Sequence, residues 1–474
     1  MKFALPLFLC VSVLSCATAP IVEYPELDLA TPTNWTAPTT DGEIVDDWWN
    51  NLGNSRLDSL VDLALTHNYD LKATATRVAQ AQAQARAAGA PLVPQLGATG
   101  SSSKRKQNFV GLPIPGGAGG LSTTSTSYSA NLNLSWEVDL WGRLRAGTQA
   151  SIANAQAAQA DWDGARLSLI AQTVRAYFAA VESGRQVELA SATVENYRLS
   201  TEQIQNRYRR GLRSSLDVRL GRSSLATAQA MLEQRRQQQD IALRQLELLL
   251  GRYPSAGIAV DGELPTISAA VPAGLPADLI ARRPDLIAAE RRLTAADRRL
   301  AVARRALLPR ISLTASTGRS SSALGDLLDG DFSVWNLIGN ISQPLLQGGR
   351  LRAEVDLASS AAESALFTYA QSALRAYGEV ETRLSAEGFL ADQELALATA
   401  ATEATAARVL AEERYAKGLS DLITLLESQR RAFDSQSRLL AIKRQRLDAR
   451  VNLYLALGGG FNDSTPSQHA EVSQ

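Results

Sequence analysis

The sequence predicts an α+β membrane protein made by internal duplication, with four transmembrane β-strands and two very long helices. Three observations carry that class. Gly142 to Arg210 is a run of 69 residues without proline and with a helical pattern throughout; a helix of that length spans roughly 100 Å, more than the width of a compact domain of this mass. The run occurs twice: Gly142-Arg143-Leu144-Arg145 returns as Gly349-Arg350-Leu351-Arg352, and RYRRGL at 207–212 returns as RYAKGL at 414–419, both offset by 207 residues. Each copy is preceded by segments in which apolar and polar residues alternate, the period of a strand.

The duplication extends upstream. Tyr69-Asp70-Leu71 with Pro94 returns as Pro284-Asp285-Leu286 with Pro309, offset by 215 residues, so the first copy carries eight more residues between Pro94 and Gly142. Such a repeat sets the organisation of everything else. It divides the chain into a first repeat at 69–251 and a second at 284–457, with an N-terminal arm and equatorial segment at 16–68, a linker at 252–283 and a flexible tail at 458–474.

Residues 1–15 read as a secretory signal: Lys2, the apolar run Phe3 to Leu14, then Ser15. That run is too short to cross a membrane as a helix. Of the two cysteines, Cys10 lies inside it and Cys16 directly follows Val13-Leu14-Ser15, which resembles a bacterial lipobox. This predicts a lipid-anchored, palmitate-bearing Cys16 as the first mature residue. Ala17 in place of an aspartate fits sorting to the outer membrane. No cysteine then remains for a disulfide. Residues 17–45, with Pro20, Pro25, Pro32 and Pro38, read as an extended arm.

The 48 basic and 48 acidic residues cancel, which removes an electrostatic case for nucleic acid. Trp48 and Trp49 read as packing residues, and His67 as a helix-end residue without metal-ligating partners at suitable spacing. Leu71 to Ala90 is an alanine- and glutamine-rich helix ended by Pro91 and Pro94. Then the period changes. Tyr128, Ala130, Leu132, Leu134, Trp136, Val138 and Leu140 alternate with Ser129, Asn131, Asn133, Ser135, Glu137 and Asp139, as an outer-membrane strand between lipid and water requires. Gln95 to Ser103 is its weaker partner, within a strand pair at 95–140. The loop VGLPIPGGAGG between them lacks the lysine and setting of a phosphate-binding loop.

The second pair, at 310–345, alternates Ile311, Leu313 and Ala315 with Ser312, Thr314 and Ser316, and later Trp335, Leu337, Gly339 and Ile341 with Asn336, Ile338, Asn340 and Ser342. A soluble sheet with one wet face has the same pattern, and the signal peptide favours the membrane. Four strands cannot close a barrel in lipid. Three copies give 12 strands and four give 16, and the strands alone leave both open.

In the long helix at 142–210, Ile170, Val174, Tyr177 and Val181, followed by Val187, Val194, Tyr197, Ile204 and Tyr208, form a coiled-coil stripe. The second long helix is 349–416. Return helices follow at 215–250 and 419–457, the latter with Phe433, Leu440, Leu447 and Tyr454 seven apart. The arginine-rich stretch at 284–306 reads as a solvated or ion-paired helix. No nucleotide, metal or cofactor motif and no activated nucleophile is evident, so no enzyme is expected.

WWNNLGNSRLDSLVDLAL, LSWEVDLWGRLR, RYRRGLRSSLDVRL, RRPDLIAAERRL, QPLLQGGRLR and RYAKGLSDLITLLESQR resemble the signature segments of TolC-type outer membrane efflux proteins, in their lipoprotein branch. The resemblance runs from about Cys16 to Gly459. It implies a homotrimer with a 12-stranded barrel in the outer membrane, continuous with a long periplasmic helical barrel. It implies also a passive exit duct for small molecules, joined by a periplasmic adaptor protein to an inner-membrane pump. A pore-free coiled-coil spacer or adhesin anchored by lipid is the rival from another class, and a duct for protein secretion has the same shape.

The resemblance also assigns roles. The turns at Gly211-Leu212 and Gly418-Leu419, with Ser214, Ser215, Ser420 and Asp421, are implied adaptor-contacting tips; the same polar residues can cap the next helix. Ile423 and Glu427, one helical turn apart, match the aliphatic and acidic positions of a periplasmic gate, where the family usually has aspartate. Three such carboxylates around an axis repel and favour cations. The first repeat carries Leu220 and Gly221 in the matching segment and is assigned no gate; Asp217 lines the mouth or caps a helix.

Overall fold

A computed structural model describes residues 32–37, 47–109, 121–260, 262–267, 271, 273–274, 276 and 278–459. Cys16, the signal segment, most of the arm, the loop at 110–120 and the tail from 460 onward lie outside the described residues. The helices are α1 (Ser55–His67), α2 (Tyr69–Gly89), α3 (Arg143–Arg209), α4 (Ser215–Leu249), α5 (Asp278–Arg282), α6 (Pro284–Arg305), α7 (Arg350–Ala416) and α8 (Leu422–Ala456), and the strands are β1 (Gln95–Phe109), β2 (Leu121–Val138), β3 (Arg310–Ser321) and β4 (Ser333–Ser342). The duplication is visible in the lengths: α3 and α7 each have 67 residues, α4 and α8 each 35.

Two compact units divide the chain, and each takes matching pieces of both copies: Val78–Ala158 with Ala289–Thr368, and Leu27–Arg77 with Gln159–Ala288 and Tyr369–Gln474. The first holds an antiparallel sheet in the order β1-β2-β3-β4. Paired residues share a face of a sheet, so register sorts the side chains. Val138, Ile311 and Ile341 form one row, Trp136, Leu313 and Gly339 the next, then Leu134, Leu96, Ala315 and Leu337, then Leu132, Ala98, Thr317 and Trp335. The other face is polar and hydrogen-bonded across strands: Asn133 Nδ2 donates to Thr99 Oγ1 at 2.8 Å, and Ser316 N donates to Asn336 Oδ1 at 3.1 Å.

The first hairpin is longer than its alternation indicated. β1 runs on to Phe109 and β2 begins at Leu121, because the serine-, threonine- and lysine-rich ends pair through their backbones without any apolar face to reveal them. At the other end β2 stops at Val138. The Asp139 carboxylate turns back to accept from Leu144 N at 3.0 Å and Arg145 N at 2.9 Å, the free donors at the start of α3, and Leu140 leaves the ladder. Trp141 Nε1 donates to the Pro309 carbonyl at 2.8 Å, tying this corner to the start of β3. The same unit holds a small helical core, where Ala296 and Leu300 of α6 meet Ala362 of α7.

The second unit holds the largest core. Trp48 and Trp49 are buried, Trp48 stacking on Tyr454 at 4.7 Å and 13°, among Leu57, Val61, Ile170, Val174, Tyr177, Phe178, Leu246 and Leu250. Asn54 fixes the entry to α1: its Oδ1 accepts from Arg56 N and Leu57 N, both at 3.1 Å, while its Nδ2 donates to Tyr177 Oη at 2.8 Å. His67 is the last residue of α1, with its ring against the Leu63 carbonyl at 3.2 Å. Asn68 then serves two helices, donating to Leu249 O at 3.0 Å and accepting from Leu71 N at 2.9 Å.

One expectation needs correction here. The α3 stripe is buried at Ile170, Val174, Tyr177, Val181, Tyr197 and Ile204, but Tyr208 is 47 % exposed; it lies in the final turn, where Tyr415 of α7 fills the interior instead. Residues 32–37 of the arm pack into this unit. Trp35 is buried against Tyr377, its Nε1 donating to Gly274 O at 2.9 Å, and Glu381 Oε1 accepts from Thr36 N at 2.8 Å.

Candidate gate and helix tips

The two reversals between long and return helices share one geometry. Gly211 and Gly418 adopt φ of +74° and +75°, in the left-handed region that glycine enters freely. Leu212 N donates to Arg207 O at 2.9 Å and Leu419 N to Arg414 O at 2.8 Å, the wrapped hydrogen bond that ends a helix at such a glycine. Leu212 and Leu419 are left about two-thirds exposed. Of the polar residues, Ser214 and Asp421 are the caps. Ser214 Oγ accepts from Asp217 N at 3.2 Å and Asp217 Oδ2 accepts from Ser214 N at 3.3 Å, a reciprocal capping box. Asp421 Oδ1 accepts from Thr424 N at 2.7 Å. That hydrogen bond from the Thr424 backbone is the main reason the Asp421 carboxyl is held below the usual range. Ser215 is the first residue of α4, and Ser420 precedes the Asp421 cap.

A contact between the copies joins the tips. Arg207 of α3 donates to Tyr415 O at 3.1 Å and Ala416 O at 2.8 Å, carbonyls of the last turn of α7, the first of which also accepts from Gly418 N at 3.0 Å. Its guanidinium and that of Arg213 lie 4.9 and 5.1 Å from the Tyr415 ring centroid. Tyr415 is 1 % exposed and packs with Ile204, Val218, Leu422 and Leu425. Helical periodicity did not single out Arg207 or Arg213; their spacing either side of a reversing glycine was the available signal.

Ile423 and Glu427 occupy the first two turns of α8, Ile423 at 72 % exposure, and both line a groove of about 500 Å³ with Glu403, Ala407 and Arg431. The carboxylate is not bare. Glu427 Oε1 accepts from Arg431 Nε at 2.7 Å and from Arg430 Nη2 at 2.8 Å, and Arg430 reaches on to Asp434 at 3.4 Å. The Arg431 and Arg430 hydrogen bonds hold the Glu427 carboxyl below the usual range. The Glu427 carboxylate is therefore ion-paired within its own helix, by arginines three and four residues on that the spacing of Ile423 and Glu427 alone does not reveal.

In the first copy the positions offset by 207 residues are Leu216 and Leu220, both exposed. Gly221 beside them has a packing reason. A Cβ there would stand 3.1 Å from Ile204 Cδ1 and 3.3 Å from Thr201 Oγ1, and Thr201 Oγ1 donates to Gly221 O at 3.1 Å. The residue lets α4 approach α3.

Among the described residues no cluster of three or more potential metal-ligating side chains occurs, and no helix is long and apolar enough to cross a membrane. The sequence profile of the outer membrane efflux protein family matches residues 60–252 and 275–459. The chain belongs to that family. It is 32 % identical over 98 % of both chains to the pyoverdine export outer membrane protein OpmQ of Pseudomonas putida. It is 32 % identical to outer membrane protein OprJ of Pseudomonas aeruginosa, over 95 % of this chain and 94 % of that one. Among solved structures, the Campylobacter jejuni CmeC outer membrane channel superposes with a TM-score of 0.86 at 25 % identity, covering 95 % of this chain and 96 % of that one. The sheet and long helices are thus those of an outer membrane efflux duct, in a family of transport proteins.

Proposed function

We propose that three copies of the chain assemble into the outer-membrane exit duct of a tripartite efflux system for small molecules. A periplasmic adaptor engages the tips around Gly211 and Gly418, an inner-membrane pump supplies the energy, and Cys16 carries the lipid anchor. Ile423 and Glu427 ring the periplasmic aperture.

One observation carries the reading: the four-stranded sheet has a continuous apolar face, while β1 and β4 each keep one edge unpaired among the described residues. Open edges are untenable in lipid, and four strands are half the smallest known barrel. Copies must supply the missing pairs, and three give 12 strands. The single polar face suits water on the inner side. Because Glu427 is neutralised by Arg430 and Arg431, the aperture is closed mainly by the bulk of Ile423 and by the Arg207–Tyr415 contact, with less electrostatic selection than bare carboxylates would give.

Native mass spectrometry of the purified protein tests the assembly. A species of three chains supports the reading, and a stable monomer or tetramer overturns it. Metabolic labelling with palmitate tests the anchor: label present in the native protein and absent in Cys16→Ser is expected, and equal labelling of both refutes it.

A further inference from the structure

The β1–β2 hairpin outreaches the rest of the sheet. Pairing of β2 with β3 ends at Tyr128↔Ser321, whereas residues 121–127 of β2 pair with β1 alone. On this projecting part stand Lys104, Arg105 and Lys106, all exposed. Directly across lie Thr126, Ser125 and Thr124, so the opposing strand offers no carboxylate. None of the three has an ion pair among the described residues.

Register assigns them to faces. Lys104 and Lys106 pair with Thr126 and Thr124 and so share the face of Tyr128, Leu132, Leu134 and Trp136, the apolar face; Arg105, opposite Ser125, is on the polar face with Ser129 and Asn131. Along that apolar face the four rows from Val138 to Leu132 cover about 20 Å of strand at ~3.4 Å per residue. Tyr128 follows, as an aromatic residue does at a membrane boundary. The lysines come next, about 7 and 14 Å further along the strand, or roughly 5 and 10 Å in height at the usual barrel tilt. Arg319, in the row of Ala130, already donates to the Leu327 carbonyl at 3.0 Å, which leaves the two lysines as the uncommitted cations at this end of the apolar face among the described residues.

We infer that Lys104 and Lys106 bind the phosphate groups of a phosphorylated glycolipid headgroup in the outer leaflet, anchoring each protomer at that surface. The inference rests on the reading of the apolar face as lipid-facing. All four helix connections leave the opposite end of the sheet, so the hairpin end is the one turned away from the periplasm. Ammonium groups on a two-residue spacing form a point-charge pair suited to phosphate, and their position just beyond an apolar band selects an amphiphile over a soluble anion.

The test is a titration of the full-length oligomer in neutral detergent with bisphosphorylated lipid A and with its dephosphorylated form, read by native mass spectrometry. The wild type is expected to bind the bisphosphorylated lipid at least about fivefold more tightly, with Lys104→Gln/Lys106→Gln losing that preference. Arg105→Gln, which removes a cation from the other face of the same strand, is expected to keep it. Equal binding of the two lipids, or an equal loss in Arg105→Gln, overturns the inference. Channel activity of each preparation in phosphatidylcholine bilayers separates the outcomes: equal binding of the two lipids by a wild type that conducts normally overturns this inference alone, and absence of channels from wild type overturns the lipid-facing reading with it.

Discussion

Arg207 of the first long helix lies 4.9 Å from the Tyr415 ring of the second and donates to the Tyr415 carbonyl at 3.1 Å. One side chain thus covers the ring and two carbonyls at the end of α7, linking the two copies where each reverses direction. Hydrogen bonds from a charged donor contribute about 1.5–3 kcal/mol. Arg207→Ala is therefore expected to speed amide exchange at Gly418 and Leu419 by about tenfold or more, with Arg207→Lys intermediate because a lysine cannot fork to two carbonyls. Unchanged exchange in the alanine variant would refute this role.

Trp48 is 1 % exposed and stacks on Tyr454, so its removal opens a cavity in the largest core. Trp48→Ala is expected to cost about 3–5 kcal/mol, read as a large fall in the calorimetric melting temperature in detergent. Trp48→Phe keeps the stacking surface and is expected to lose much less.

Asp139 tests the junction of β2 and α3 through pH. Burial raises its pKa, but the backbone donors of Arg145 and Leu144 and the Arg145 side chain outweigh that, and the carboxyl is held below the usual range. A depressed native pKa gives stability that is fully present above the ordinary aspartate value of about 3.9 and lost as pH falls through the native value. Asp139→Ala is expected to cost about 1 kcal/mol at pH 7. The melting-temperature gap to wild type should narrow below about pH 4; a gap that stays constant into strong acid would count against the carboxylate as the cause.

Much of this architecture could be read from the chain because its signals are periodic. The coiled-coil stripe through Ile170, Val174, Tyr177 and Val181 and the alternation from Tyr128 to Val138 each follow from burial on one face, and the 207-residue offset makes the duplication plain. The outer half of the β1–β2 hairpin has no apolar face, so its backbone pairing left no pattern. Trp35 was hidden in a proline-rich arm because its partners, Tyr377 and Gly274, are far away in sequence. The gate role proposed for Ile423 and Glu427 rests on resemblance. The arginines that neutralise Glu427 show only when the helix brings positions 430 and 431 back beside it.

The Glu427 carboxylate proposed for the aperture also has a definite dependence on pH. With its carboxyl held below the usual range by Arg431 and Arg430, Glu427 keeps its charge through mild acid. Channel ion selectivity is expected to stay constant from pH 7 to about pH 5 and to change only below the ordinary glutamate value of about 4.3. A selectivity transition centred near neutral pH would contradict the pairing.

The most direct test of the duct and its aperture is single-channel conductance of the purified full-length oligomer in planar bilayers, with reversal potentials for wild type and Glu427→Ala. The wild type is expected to give discrete, small currents. The variant frees Arg430 and Arg431 from their shared carboxylate and is expected to shift selectivity toward anions. Correctly assembled oligomers that never conduct would contradict the central claim that this chain forms an exit duct.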